Sequence, residues 1–453
     1  MKELLVILGA GESGTGAALL AQAKGWDVFV SDFGTIAPKF KEQLTQANIP
    51  FEEGKHTEEI ILKAALVIKS PGIPYKVPII KALQAKGIAI IDELEFAYRY
   101  SKAKFICITG SNGKTTTTLL TYHLIKEAGF NVALGGNIGQ SMALQVINET
   151  ADWYVLEVSS FQLDGWDTFK PNISAITNIT PDHLDRYDYK FENYVASKFR
   201  IVQKQDENDY FITFSDADVI EQELAKGTLT PTTALIGHQA ISGLGAYSKG
   251  EEAIVFNYLD SEAKLQHFEL LLANSPIQGA HNRQNIMVAV LAALRAGVPA
   301  ESIEGNLSTF INAPHRLEKV ATINGVTYVN DSKATNVDSV KYALGTYSEP
   351  LVWIAGGVDK GNDYSLIESL VLEKVKVLII LGTYKDPLLN AFSGKLPLIL
   401  EAADMQEAIA LAQANSQSGD VVLLSPACAS FDLFKNYEHR GDVFRELVKG
   451  LMK

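Results

Sequence analysis

Several large classes of protein are excluded by what this sequence lacks. It has two cysteines, Cys107 and Cys428, in 453 residues. They are too far apart for a Cys-x-x-Cys metal or redox motif and too few for a disulfide framework, so a reducing cytoplasm is the expected setting. Positive charge is also short: 40 Lys and Arg against 53 Asp and Glu give a net charge of −13. Nucleic acid or an anionic membrane would call for a basic footprint, so neither is expected as a main partner. No apolar run approaches the ~20 residues of a membrane span. The opening run Leu4 to Leu8 passes straight into a glycine loop without a cleavage-site pattern, and reads as a first strand rather than a signal peptide. Heptads, low-complexity tracts and internal repeats are missing as well.

What is present is ordinary packing material, 47% apolar, in a length that suggests three domains at roughly 150 residues each. Strand-like and helix-like segments alternate through the chain, which is an α/β signature. The first block runs Leu4–Leu8, a helix from about Thr15, Asp27–Val30, Leu66–Ile68 and Ile88–Ile91. A second alternating series starts at Phe105 and includes Trp153–Val158 and Ser174–Asn178. It passes into a β-rich interval, Asp209–Phe214, Thr233–Gly237 and Ala253–Tyr258, before a helical run over Asn282–Ala296. After Asn312-Ala313-Pro314 come Thr327–Asn330, Leu351–Ala355, Val375–Leu381 and Asp420–Leu424. The expected domains are residues 1–92, 93–312 and 313–453: Rossmann-like, P-loop ATPase-like with extra strands, and Rossmann-like again.

Chemistry is written most clearly in Thr109-Gly110-Ser111-Asn112-Gly113-Lys114-Thr115-Thr116, between an apolar strand and a helix-like segment. Glycines let backbone N–H groups point at a polyphosphate, Lys114 can reach β- and γ-phosphates, and the Thr115 hydroxyl can hold Mg²⁺. The general pattern would have glycine at position 108, where this chain has Ile108.

A second glycine loop, Gly9-Ala10-Gly11-Glu12-Ser13-Gly14, follows the first strand, and Asp32 closes the next one. Alone this is a dinucleotide fingerprint, with Asp32 on ribose hydroxyls, and would support a hydride-transfer enzyme. A simple dehydrogenase has no use for the stronger phosphate loop. The first loop is therefore read as the diphosphate site of a nucleotide-linked substrate, with the turn Ser70-Pro71-Gly72 facing the same ligand.

Glu157 ends the apolar run Trp153 to Leu156 at a strand's carboxyl end. A carboxylate there is costly to bury uncompensated, which makes it a candidate Mg²⁺ ligand. Thr180-Pro181-Asp182-His183-Leu184-Asp185 follows another strand; it is metal-compatible, and equally compatible with a helix cap by Asp182. Lys198, in a helix expected over Phe191 to Gln203, reads by itself as a surface charge.

Together these pieces resemble the Mur ligases, over essentially the whole chain. The resemblance rests on the loop Thr109–Thr116, Gly136-Asn137-Ile138-Gly139, Glu157-Val158-Ser159-Ser160, Asn178–His183, His281-Asn282 with Asn285, Pro314-His315-Arg316, Asn330-Asp331-Ser332-Lys333-Ala334-Thr335-Asn336 and Ser425-Pro426-Ala427-Cys428-Ala429-Ser430. The Asp-Ser-Lys-Ala-Thr-Asn stretch and the compact first loop are similar to the D-glutamate-adding members. The resemblance implies a monomeric cytoplasmic enzyme of peptidoglycan precursor synthesis that joins UDP-N-acetylmuramoyl-L-alanine to D-glutamate through an acyl phosphate, with ATP and two Mg²⁺.

It further implies roles for individual residues. Gly110, Ser111, Asn112, Gly113, Lys114, Thr115 and Thr116 would hold ATP, with Asn282 and Asn285 near adenine and Arg316 and Asp331 as further nucleotide contacts. Thr115 and Glu157 would bind one Mg²⁺ and His183 a second, helped by Lys198 if carbamylated. Ser13, Gly14, Thr15, Asp32, Ser70, Pro71, Gly72, Asn137 and Ser159 would line the UDP-substrate site. Lys333, Thr335, Lys360, Ser430 and Tyr437 would form the D-glutamate pocket; many members have Phe where Tyr437 stands. The Lys333-Ala334-Thr335 segment argues against the diaminopimelate-adding sister. Other readings carried forward are an amide ligase for a different amine, a nucleotide-dependent dehydrogenase and a non-catalytic P-loop switch.

Overall fold

The computed structural model describes residues 2–215, 218–260, 262–359 and 361–452. Lys360, expected in the amino-acid pocket, lies outside the described residues. The chain divides into two compact units, one formed by residues 1–276 with 282–310 and the other by 277–281 with 311–453. Three sheets give the α/β, three-domain architecture expected from the alternating pattern, the first two of them in one unit.

In that unit the first sheet contains β1 (Leu4–Leu8), β2 (Asp27–Asp32), β3 (Phe51–Glu53), β4 (Leu66–Lys69) and β5 (Ala89–Ile91), all parallel, in the order β3-β2-β1-β4-β5. The order reverses between β1 and β4, and open parallel sheets bind ligands outside the carboxyl ends of strands at such a point. The glycine loop follows β1 and the Ser70-Pro71-Gly72 turn follows β4, so both candidate loops sit there. The helix after β1 spans Glu12–Ala23, with Gly11 at its N-cap. It begins three residues before the expected Thr15, because the turn needs only Gly9, Ala10 and Gly11.

The second sheet contains β6 (Lys104–Thr109), β7 (Val132–Gly136), β8 (Trp153–Glu157), β9 (Ile173–Ile176), β10 (Tyr210–Phe214), β11 (Thr232–Gly237), β12 (Gly245–Lys249), β13 (Ala253–Leu259) and β14 (Leu265–Leu271). Its order is β14-β13-β12-β11-β10-β9-β6-β8-β7, with antiparallel pairing only from β12 outward. Strands β6, β8 and β9 are covered on both faces, which is why they read as continuous apolar runs rather than alternating ones. The register pairs Ile108 of β6 with Glu157 of β8, so the phosphate loop and that carboxylate leave the sheet side by side.

The other unit holds β15 (Glu318–Ile323), β16 (Val326–Asn330), β17 (Leu351–Ala355), β18 (Val375–Leu381), β19 (Ile399–Ala402) and β20 (Val421–Leu424), ordered β15-β16-β20-β17-β18-β19. Only the β15–β16 hairpin is antiparallel. Cores lie on both faces, one around Val329, Trp353 and Leu378, the other around Tyr328, Ile354 and Phe444. The carboxyl ends of adjacent β16, β20 and β17 lead into the Asp331, Ser425 and Gly356 turns.

Candidate nucleotide and phosphoryl-transfer site

The phosphate loop leaves β6 at Thr109 and enters the helix Lys114–Glu127. Gly110 has φ +151°, and a Cβ there would collide with the Thr177 hydroxyl; Gly113 has φ +82°, and a Cβ there would collide with the Asn285 side chain. Both positions demand glycine by conformation and by space. Gly113 is the N-cap and has no side chain to cap the helix, which leaves the helix N-terminus to backbone N–H groups suited to an anion.

The segment after β9 clasps this loop. Ser111 N donates to Asn178 O at 2.9 Å, Asn112 N donates to Asn178 Oδ1 at 2.8 Å, and Asn178 Nδ2 donates back to Asn112 O at 3.0 Å. Ser111 Oγ donates to Thr180 O and accepts from Thr180 N, with Tyr194 Oη 3.1 Å away. Ser111 and Asn112 thus shape the loop with their side chains and backbone. Asn285, buried with Asn282 and bonded to it, accepts from Thr117 Oγ1 beneath the loop.

Two lysines meet at Gly110. Lys114 Nζ donates to Gly110 O at 2.7 Å and Ser111 O at 2.9 Å, while Lys198 Nζ donates to the same Gly110 O at 2.8 Å. Lys198 is 1% exposed, and not the surface charge its helix position suggested. Burial pulls its ammonium well below the usual lysine range and Lys114 pulls the same way, against the charges of Asp182 and Asp164. Its helix spans Phe191–Phe199 and continues as a 3₁₀ turn over Arg200–Val202.

Glu157 is 1% exposed. Its Oε1 accepts from Asn137 Nδ2 at 2.7 Å, and its Oε2 is buried with no hydrogen-bond partner among the described residues. An unpartnered buried carboxylate oxygen beside a phosphate loop fits a hard divalent cation. Among the described residues no three His, Cys, Asp or Glu side chains form a metal cage. That suits Mg²⁺, which takes one or two carboxylates and leaves its other positions to phosphate oxygens and water. Thr115 is buried at the first turn of the helix. His183 adopts the left-handed conformation at φ 52°, with Nε2 3.5 Å from Asp182 Oδ2 and its ring against Phe161.

On the first sheet, Asp32 holds the glycine loop: its Oδ2 accepts from Ala10 N at 2.6 Å and its Oδ1 from Gly34 N at 2.8 Å. Ser13, Gly14 and Thr15 lie in the first turns of the helix that follows, Thr15 bonding back to Ala10 O. Ser159 forms a capping box with Gln162 at the start of the short helix Ser160–Leu163.

The other unit gathers its own set. Asp331 is buried, accepting from Leu317 N and from Ser425 Oγ at 2.9 Å; burial pushes its carboxyl up to about 7, opposed by Arg316, whose Nε is buried and has no hydrogen-bond partner among the described residues. Lys333 Nζ stands 5.4 Å from the Tyr437 ring centroid. Thr335 follows two residues on, and Ser430 is buried in the turn after β20.

Sequence reasoning missed Arg440, 1% exposed. It donates to the carbonyls of Ser332 and Cys428, to Ser332 Oγ and, at 3.5 Å, to Gly356 O, so it reaches all three turns at this sheet edge. It also missed Lys69, buried at the end of β4 and donating to Ser70 O and Ile73 O. Burial lowers Lys69 to about 8. The available signal was a lysine directly after the apolar Leu66-Val67-Ile68 and before Ser-Pro-Gly; Arg440 carries no comparable mark.

Comparison with known proteins adds the relatives. Residues 3–92 match the N-terminal domain of MurD-like Mur ligases, 108–293 the Mur ligase middle domain, and 315–428 the Mur ligase glutamate ligase domain. UDP-N-acetylmuramoylalanine--D-glutamate ligase of Cytophaga hutchinsonii is 53% identical over 450 residues, 99% of each chain. The protein of the same name from Porphyromonas gingivalis is 50% identical over 100% of this chain and 99% of its own. Among solved structures, UDP-N-acetylmuramate-alanine ligase from Thermotoga maritima superposes with a TM-score of 0.61 at 17% identity, covering 99% of this chain and 100% of that one. MurF ligase from Thermotoga maritima, in complex with ADP, gives 0.60 at 16% identity over 94% and 97%. At those identities the two structures speak for the fold.

Proposed function

The chain belongs to the Mur ligase family, and from that premise we propose that it joins the carboxylate of UDP-N-acetylmuramoyl-L-alanine to the amine of D-glutamate, in peptidoglycan precursor synthesis, using ATP with Mg²⁺. The observation that carries the substrate choice is the 53% identity over 99% of both chains with a ligase of that name.

A carboxylate is a poor electrophile at neutral pH. Its oxygen attacks the γ-phosphorus of ATP, ADP leaves, and an acyl phosphate forms. The D-glutamate nitrogen then attacks the acyl carbon, phosphate departs, and the nitrogen gives up a proton. The first step brings two anions together, so it needs alignment and positive charge rather than covalent help from protein. Gly110 to Thr116 would cradle the phosphates, and Lys114 would move from the loop carbonyls onto the β- and γ-oxygens. Thr115 and Glu157 would hold one Mg²⁺, and His183 with a modified Lys198 a second. When bound, the ions neutralise and orient the phosphate and carboxylate oxygens. Asn282 and Asn285 are proposed near adenine, and Arg316 and Asp331 as further nucleotide contacts. Ser13, Gly14, Thr15, Asp32, Ser70, Pro71, Gly72, Asn137 and Ser159 are proposed for the UDP substrate. Lys333, Thr335, Lys360, Ser430 and Tyr437 are proposed for D-glutamate, a dicarboxylate served by lysine and hydroxyl donors. Domain boundaries near residues 92 and 313, a monomeric state and a cytoplasmic location complete the reading; no described helix is long and apolar enough to cross a membrane.

Carbamylation of Lys198 is supported by its burial and by its neighbour Lys114, which disfavour the ammonium and leave the neutral amine that adds to carbon dioxide. Carbon-13 NMR with labelled bicarbonate tests it: a carbamate signal in the wild type that is lost in Lys198→Arg is expected, and identical spectra would remove the modified lysine. The ligase reading itself is tested by phosphate release, which is expected only when ATP, Mg²⁺, the UDP substrate and D-glutamate are all present.

A further inference from the structure

Arg186 has no part in the roles assigned so far, and its position gives it one. It closes the 3₁₀ turn Leu184–Arg186 that directly follows His183. From there it reaches the first sheet: its Nη2 donates to Pro71 O at 3.2 Å and its Nη1 to Gly72 O at 3.3 Å. Its guanidinium carbon lies 4.4 Å from the ring centroid of Phe161, in the helix that starts after Glu157-Val158-Ser159, and the same ring packs against His183. Among the described residues Arg186 makes no ion pair with a carboxylate, so its charge goes to two carbonyls and one aromatic face.

The turn after β4 is consequently held by cations along its length. Lys69 takes the outer carbonyls, Ser70 O at 3.1 Å and Ile73 O at 3.0 Å, and Arg186 takes the inner pair. A trans peptide is planar, with its C=O and N–H pointing opposite ways. Fixing the carbonyl of Pro71 therefore fixes the N–H of Gly72 on the side away from Arg186. The turn that carries that amide follows β4 at the point where the sheet order reverses, with Ser70 and Ile73 packed against Gly9 of the glycine loop.

We propose that Arg186 is a positioning residue for the UDP-linked substrate: it sets the Pro71–Gly72 peptide plane so that the Gly72 amide can meet an anionic diphosphate, and ties that turn to Phe161 and to the His183 segment assigned above to the second Mg²⁺. This rests on the ligase reading above. Arginine suits the task because its planar fork holds two carbonyls at once and stacks on a ring, which a lysine ammonium cannot do together.

The test is steady-state phosphate release by the full-length wild type, Arg186→Gln and Arg186→Lys, varying each substrate in turn, with the melting temperature of each protein. Arg186→Gln is expected to raise KM for UDP-N-acetylmuramoyl-L-alanine about tenfold while KM for ATP and for D-glutamate stays within about twofold. Arg186→Lys, with one donor centre in place of a fork, is expected to raise the same KM about threefold with an unchanged melting temperature. An unchanged KM for the UDP substrate in both variants overturns the proposal. So does a parallel rise of all three KM values with a fall in melting temperature, which is the signature of a merely structural contact. Should Arg186→Gln fail to fold, the lysine variant decides alone, by the same KM comparison. A wild type that releases no phosphate with these substrates would instead count against the ligase reading and leave Arg186 out of it.

Discussion

Glu157 shows how much one residue can carry. Its Oε1 is satisfied by Asn137 and its Oε2 by nothing among the described residues, although the cost of stranding a buried polar group is on the order of 1–3 kcal/mol. Glu157→Gln keeps the shape, the burial and one acceptor, and removes the charge a cation needs. We expect it to fold with an unchanged melting temperature and to lose at least about 100-fold in kcat, with a higher Mg²⁺ requirement; near wild-type turnover at ordinary Mg²⁺ would remove Glu157 from the metal site. Arg440 is the counterpart in the other unit. It is buried with carbonyls and a hydroxyl as partners, and burial lowers it to about 10. Arg440→Lys leaves some of those carbonyls without a donor, so a loss of about 2 kcal/mol is expected, together with a raised KM for D-glutamate and an unchanged KM for ATP. Denaturant titration and the same phosphate assay check both parts.

At the scale of elements, the helix Glu93–Tyr98 joins the first sheet to the second through buried carboxylates. Asp92 Oδ1 caps it; Glu93 Oε1 accepts from Ser141 Oγ and Ala143 N; Glu95 accepts from the backbone of Asp167, Thr168 and Phe169. Burial pushes Glu93 up to about 7 from 4.5 and Asp92 up to about 8 from 3.8. Both folded values lie above the unfolded ones, so between them the folded state binds more protons, and stability falls as pH rises through that window. Glu93→Gln keeps an acceptor for Ser141 and Ala143 without a charge to bury. Its melting temperature relative to wild type is expected to climb by a few degrees, about 3 °C, between about pH 5.5 and about pH 8.5. A constant difference across that range would show that Glu93 does not titrate there.

Legibility also varied by element. Buried parallel strands such as β1, β17 and β18 were readable to the residue, because covering both faces forces an unbroken apolar run. The interior β12 and the edge strands β3, β7, β14, β15 and β19 went unread: Phe-Glu-Glu in β3 and Leu-Gln-His-Phe-Glu-Leu-Leu in β14 carry polar residues that an edge or one-sided strand tolerates. β9 stops at Ile176 rather than Asn178 because Thr177 and Asn178 turn onto the phosphate loop. The loop itself was legible, since glycine, lysine and threonine are required locally. Burial of Lys198 beside Gly110 was not, because it is made by a contact 88 residues away in sequence.

For the whole molecule the question is how a chain of net charge −13 handles substrates that are all anions. Its overall field repels them, so the proposed sites rely on cations and amides fixed at strand ends: Lys114 and the loop N–H groups in one unit, Lys333 near Tyr437 in the other. The proposed phosphate donors and the proposed amino-acid donors lie on different units, so turnover should depend on the amine as strictly as on ATP. A pocket built on lysine and hydroxyls should prefer a compact dicarboxylate and reject a side chain that ends in an ammonium group. We therefore expect phosphate release from ATP, Mg²⁺ and UDP-N-acetylmuramoyl-L-alanine with D-glutamate, and release lower by at least about 100-fold with meso-diaminopimelate; the similarity to D-glutamate ligases, rather than the donor set, extends that expectation to L-glutamate and D-aspartate. Turnover with another of these amines would keep the acyl phosphate chemistry of the first unit and overturn the assignment of Lys333 and its neighbours. Lys333→Ala separates the two further, since it should raise KM for D-glutamate while leaving ATP binding in the first unit as it was.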